Sequence, residues 1–165
     1  MIAFTGVLNR PNAEGLFAEM EVVAGFPGGS PDVPSSFNRV EGFTQKLRDK
    51  GIKIYDSIPE MLKNVDVVLL EEVDGRPHLE LARPVIAAGK PLFIDKPLAG
   101  SLADAVAIAE LARKHNVPCF SCSSVRYSPS ITSLRDNEEV GEIEVFQFKE
   151  VAEVDAALLA YLRSK

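Results

Sequence analysis

Short apolar runs, each leading into a longer stretch of helical periodicity, are the feature that most limits what this chain can fold into. The runs are residues 20–26, 52–55, 65–70, 91–94 and 117–120. Between them, Val40, Phe43 and Leu47 recur at three- to four-residue spacing, which predicts a helix over 37–50 that Gly51 stops. Ser57, with Glu60 three residues on, has the pattern of a capping box opening a brief helix. The run at 65–70 is apolar apart from Asp66, as in a strand buried on both faces. Residues 76–88 read as the next helix, with Gly89 behind it. Ser101, with Asp104 in the first turn, opens another that runs to about His115. Residues 1–9 look like a helix already under way, and 127–137, 143–148 and 151–162 read as helix, strand and amphipathic helix. Strand and helix alternating with right-handed crossovers predicts an α/β fold: a Rossmann-like, doubly wound, mostly parallel sheet. Ligands of such sheets sit beyond the carboxyl ends of the strands. The segments to inspect are therefore 27–30, 71–78, 95–100 and 121–127.

Charge and cysteine usage remove several function classes. The 165 residues carry a net charge of −6 and no block of Lys or Arg, which argues against a nucleic-acid partner. No apolar run approaches the roughly 20 residues of a membrane span, and no signal peptide is visible. A cytoplasmic protein is expected. Cys119 and Cys122 form a lone C-x-x-C. A structural zinc site wants a second pair of ligands, and a redox pair usually opens a helix. Here Cys119 sits inside an apolar run, so the two read as reduced packing thiols and no metal is expected.

The sharpest chemical signal is Ile94-Asp95-Lys96-Pro97-Leu98, a charged pair directly after a buried strand. Pro97 biases Lys96 towards extended backbone, which fixes an ammonium at the strand's carboxyl end. There it can hydrogen-bond a hydroxyl or move a proton. The competing reading is an Asp95–Lys96 surface pair in an ordinary turn.

Residues 65–70, His78, and the stretch Ala87-Ala88-Gly89-Lys90-Pro91-Leu92-Phe93-Ile94-Asp95-Lys96-Pro97-Leu98-Ala99 together resemble the glucose–fructose oxidoreductase/inositol dehydrogenase family. Residues 110–118 and Arg126-Tyr127-Ser128-Pro129 are similar to that family's following helix, strand and loop. The resemblance runs from about Glu21 to Phe148. It implies a Rossmann domain binding NAD or NADP, followed by a substrate domain, and oxidation of a hydroxyl on a sugar or cyclitol. Asp95, Lys96 and Pro97 match the family's Glu-Lys-Pro motif, which assigns Lys96 as catalytic and all three to the cofactor side. His78, Asp74 and Arg126 match positions near the cofactor. Each also has a plainer reading: His78 as a cap or packing residue, Asp74-Gly75 as a turn, and Arg126 as a surface loop residue. Glu71 and Glu72 follow a buried strand and read as residues in different environments more than as a catalytic dyad.

The chain departs from that family in places. No G-x-G-x-x-G turn is present to hold a pyrophosphate at a helix N-terminus, so the first strand and phosphate loop are expected to be missing. Pro27 and Gly28 stand where an acidic residue would bind the adenosine ribose, with Ser30 or Asp32 as substitutes, and no nearby arginine argues for NADP. Residues 1–150 are read as an incomplete nucleotide-binding domain and 151–165 as a helix or tail, with no substrate domain. Three functions follow. The first is an impaired oxidoreductase domain for a sugar-like substrate, with homo-oligomerisation open. The second is a non-catalytic binding or regulatory module with an exposed sheet edge. The third is a phosphoacceptor receiver domain, which would need acidic residues after its first strand and an aspartate at its third strand's exit, whereas Asp66 begins its strand and the chain continues far past Lys96-Pro97.

Overall fold

The computed structural model describes residues 2–133. The predicted strand at 143–148 and helix at 151–162 lie outside the described residues. The chain divides into two compact units, Met1–Ser121 and Cys122–Lys165. The first contains α1 (Ile2–Leu8), β1 (Ala24–Gly25), α2 (Pro34–Asp49), β2 (Lys53–Ile54), α3 (Ile58–Leu62), β3 (Val68–Leu70), α4 (His78–Ala87), β4 (Leu92–Asp95) and α5 (Leu102–Lys114). β5 (Cys119–Cys122) follows, then a 3₁₀ turn (Ser124–Tyr127) and α6 (Pro129–Thr132).

Helix ends are set by local chemistry. Ser57 and Ser101 accept from the N–H groups of Glu60 (3.4 Å) and Asp104 (3.1 Å), as their spacing predicts. α2, α4 and α5 all end in one device. Gly51, Gly89 and Asn116 take positive φ of 78°, 72° and 52°. The next N–H then reaches back to the last turn: Ile52 to Leu47, Lys90 to Val85 and Val117 to Ala112. Each time, the chain is turned straight into the following strand.

The strands form two sheets. β1 pairs with β2 in parallel, Ala24 opposite Lys53. β3 pairs with β4 in parallel, Val68 opposite Leu92, and the second sheet has the order β3-β4-β5. Alternation sends Leu92 and Ile94 to one face of β4, and Phe93 to the other. Leu92 and Ile94 meet Ala82, Val85 and Ile86 of α4 and Ile108 and Ala112 of α5 in a core where Ile86, Ile94 and Ala82 are fully buried. On the opposite face, Phe4 of α1 lies 6.1 Å from the Phe93 ring, which lies 5.1 Å from Phe120. Helices thus lie on both faces of the second sheet, which is the doubly wound arrangement, although Phe120 stays exposed on the α1 side. Ala24 and Phe26 of the first sheet pack against the same core. No helix among the described residues is long and apolar enough to cross a membrane.

Candidate functional site: the carboxyl-end rim

The exits of β3 and β4 form one locked rim. Lys96 follows β4 directly and is exposed, and the Lys96–Pro97 peptide is cis. Among the described residues, its ammonium makes no ion pair, with Asp95 or any other carboxylate. Asp95 is half-buried as the last residue of β4, and Pro97 is exposed.

His78 ties the two exits together from beneath. It is fully buried at the start of α4. Nδ1 lies 3.1 Å from the Leu98 carbonyl, two residues past Lys96, and Nε2 lies 3.0 Å from the Glu72 carbonyl. Both ring nitrogens face backbone oxygens, so neither is turned to a ligand. Two glycines allow the loops to touch. A Cβ on Gly75 would lie 2.7 Å from the Ala99 carbonyl carbon and 2.8 Å from Pro97 Cγ, and one on Gly100 would lie 2.8 Å from Arg76 Cα. Only residues without a side chain fit such contacts.

The exit of β1 is clasped to the exit of β3 by carboxylates. Glu72 accepts from the Gly29 N–H (2.6 Å), the Ser36 hydroxyl (2.6 Å) and the N–H groups of Val73 (2.9 Å) and Asp74 (3.3 Å). Asp74 accepts from the Ser30 hydroxyl (2.5 Å) and from the Arg76 N–H (3.0 Å) and Nε (2.9 Å). Arg76 then reaches Asp32 with both Nη atoms, at 2.8 and 2.9 Å, a two-pronged pairing. The Arg76 guanidinium, then the Ser30 hydroxyl, hold the Asp74 carboxyl well below the usual carboxylate range. Asp32 is lowered as well, mainly by Arg76, and Arg76 is raised by Asp74 and Asp32.

Of the residues singled out from sequence, Asp74, His78, Asp95, Lys96 and Pro97 are brought to this rim. Arg126 lies exposed in the 3₁₀ turn of the second unit. Ser30 and Asp32, weighed as ribose ligands, are engaged by Asp74 and Arg76. Glu72, Ser36 and Arg76 were not singled out as site residues. Their partners lie 36 to 44 residues away, or in the same loop, and no local pattern announces them. Cys119 and Cys122 are free thiols. Three residues apart on one strand, they point to opposite faces, and burial pushes the Cys119 thiol up. No group of three metal-ligating side chains occurs among the described residues.

The family described as "Oxidoreductase family, NAD-binding Rossmann fold" (GFO_IDH_MocA) matches residues 35–122. Dehydrogenase aclE of Aspergillus oryzae is 30% identical over 90 residues, covering 54% of this chain and 24% of its own length. A probable dehydrogenase from Thermotoga maritima superposes with a TM-score of 0.53 at 30% identity, covering 61% of this chain and 32% of its own. GenD2 from gentamicin A biosynthesis, solved in complex with NAD, does so with a TM-score of 0.51 at 24% identity, covering 56% and 27%. The matches to curated relatives span 24% to 28% of those proteins' own length.

A nicotinamide dinucleotide would meet two different surfaces here. The β3–β4 rim presents an exposed ammonium and a fixed backbone, which suits the nicotinamide half. At the β1 exit the Gly29 N–H is already given to Glu72, and Gly28 has the same carboxylate 2.9 Å from where a Cβ would stand. This is the exit at which the sequence places the adenosine ribose, and there the Glu72 carboxylate stands beside Gly28 and Gly29 as an acidic group that Pro27 and Gly28 do not supply.

Proposed function

The chain belongs to the NAD-binding Rossmann-fold oxidoreductase family of glucose–fructose oxidoreductase and inositol dehydrogenase, and on that premise we propose that it is the nucleotide-binding portion of an NAD(P)-dependent oxidoreductase acting on a sugar- or cyclitol-like hydroxyl. The reading rests on Lys96, an exposed ammonium without a carboxylate partner among the described residues, on a rim that His78, Gly75 and Gly100 hold in place. When bound, the nicotinamide supplies the hydride chemistry. Lys96 would orient the substrate hydroxyl by hydrogen bonding and, as the neutral amine, accept the proton that the hydroxyl loses. Asp95 and Pro97 fix the backbone on either side of it, and Asp74 shapes the neighbouring wall. His78 acts through the loop it braces and does not touch the ligand. Arg126 is assigned to the nicotinamide end on the family resemblance alone. A cytoplasmic location belongs to the same reading, in keeping with two free thiols.

One observation favours a second reading, a non-catalytic module that keeps the scaffold. No G-x-G-x-x-G turn is present to hold a pyrophosphate, which on this reading leaves nucleotide binding by this chain impaired. Titration with NADH and NADPH, followed by nicotinamide fluorescence, separates the two. Saturable binding of either nucleotide supports the oxidoreductase portion. Lys96→Ala should then lower oxidation of glucose or inositol by about 100-fold or more, the usual scale of a lost general acid–base group. A folded chain that binds neither nucleotide refutes the first reading.

A further inference from the structure

In sheets that bind a dinucleotide, the strand exit that receives the adenosine ribose carries an acid for the ribose hydroxyls, or an arginine for a 2′-phosphate. At the β1 exit, no side chain of that loop can stand there. Pro27 has no polar group. A Cβ on exposed Gly28 would lie 2.9 Å from Glu72 Oε2. Gly29 has a φ of 110°, and a Cβ there would lie 2.6 Å from Val40 Cγ2. The space beside Gly28 is filled from the β3 exit instead, by the Glu72 carboxylate.

The donors around Glu72 hold it at that place. Ser36, in the first turn of α2, accepts from the Ser30 N–H (3.2 Å) and gives its hydroxyl to Oε1 (2.6 Å). Oε1 also takes the N–H groups of Val73 (2.9 Å) and Asp74 (3.3 Å). Oε2 takes the Gly29 N–H (2.6 Å). A carboxylate offers about four lone-pair positions, shared between its two oxygens. Among the described residues, the contacts crowd Oε1, and Oε2, the oxygen beside Gly28, keeps room for a second donor. A carboxylate fixed in this way loses little freedom on meeting a hydroxyl.

The fold also brings guanidinium groups to this exit, but none is set for a phosphate. Arg76 is held by Asp74 and Asp32. Arg39 leans over the Phe43 ring, 5.8 Å from its centre, and gives Nε to the Ser35 carbonyl. Asp32, Glu72 and Asp74 thus surround Arg76 with more negative charge than it cancels. A ribose hydroxyl meets an acceptor here. A 2′-phosphate, with about 1.5–2 negative charges, meets its own sign.

We propose that Glu72, reaching across from the β3 exit, is the specificity-determining acid of the adenosine half, and that it makes the chain prefer NAD(H) to NADP(H). The inference rests on the nucleotide-binding reading above and adds the preference and the residue that sets it.

Three probes test it by nicotinamide fluorescence: NADH, NADPH, and NADH with a 2′-deoxyadenosine. NADH should bind the unaltered chain at least about tenfold more tightly than either of the others, the scale of a lost hydrogen bond to a charged group. Glu72→Gln should weaken NADH and strengthen NADPH, so that the two affinities converge. If Glu72 only latched the loops together, its loss would weaken both nucleotides alike and leave their ratio unchanged. The deoxy probe works on the unaltered chain and does not depend on how the variant folds. NADPH binding as tightly as NADH, equal binding of the deoxy probe, or an unchanged ratio in Glu72→Gln overturns this inference alone. A folded chain that binds none of the three overturns the nucleotide-binding reading and this inference with it.

Discussion

His78→Ala is the perturbation that most directly tests how the rim is held. The ring is fully buried and spans two carbonyls, Leu98 at 3.1 Å and Glu72 at 3.0 Å. Removing it loses the one hydrogen bond that a neutral imidazole can donate between the two carbonyls, worth about 0.5–1.5 kcal/mol net, and leaves a part-buried carbonyl without that donor, at about 1–3 kcal/mol. It also leaves a ring-sized cavity, and large-to-alanine changes in a core run at about 2–5 kcal/mol. These effects overlap, so the expected loss is about 3–5 kcal/mol, a large share of the roughly 5–15 kcal/mol that holds a domain folded. Urea unfolding followed by circular dichroism reads it. With a slope of about 1–3 kcal/mol per molar for a chain of this size, the midpoint should fall by about 2 M with the slope unchanged. His78→Gln can keep one of the two contacts and should lose less. Hydrogen exchange should quicken at Leu98 and Ala99 in the alanine variant before it does in α5. A midpoint within about 0.3 M of the unaltered chain, below about 1 kcal/mol on that slope, would refute the view that this imidazole carries the join between the loops.

Acid should open the clasp between the β1 and β3 exits. Arg76 and Ser30 lower Asp74 in the folded chain, and Arg76 lowers Asp32. Their stabilisation is therefore complete above the ordinary carboxylate pKa of about 3.9 and is lost as pH falls below it. Asp74→Asn should be less stable than the unaltered chain at pH 7, and the gap should shrink between pH 5 and pH 2; a gap that stays constant contradicts the assignment. Gly75→Ala places a Cβ 2.7 Å from the Ala99 carbonyl carbon, against backbone that cannot rotate away, and should cost about 1–3 kcal/mol as overpacking does. Gly42→Ala, inside α2 with nothing within 4 Å, should instead stabilise by about 0.8–1 kcal/mol, and calorimetric melting that fails to give these opposite signs argues against the contact.

What the sequence made legible was local. Ser57 and Ser101 act on N–H groups three residues away, and Gly51 and Gly89 end helices by their own backbone freedom. Those features need no knowledge of the fold. Lys96 was legible for a related reason, since a charge directly after a buried strand can only emerge at that strand's end. Strand lengths were over-read. Residues 20–26 are apolar enough for a long strand, yet only Ala24–Gly25 is one, because pairing requires a partner and β2 offers two residues. The clasp was not legible at all: Glu72 meets Gly29 across 43 residues, and Arg76 meets Asp32 across 44.

The same comparison explains why the rim and the clasp differ. At the rim, the close approaches are made by glycines with no side chain and a buried imidazole, and all of them fall within residues 72–100. The clasp is the reverse, because Glu72 and Asp74 draw donors from Gly29, Ser30 and Ser36 on the far side of β1. The distance from the β1 exit to Lys96 is therefore set by two carboxylates. Weakening the clasp, as in Asp74→Asn, should loosen the β1 exit while the His78 brace between the Glu72 and Leu98 carbonyls stays, so faster hydrogen exchange should appear at Gly29 and Ser30 before it appears at Leu98 and Ala99.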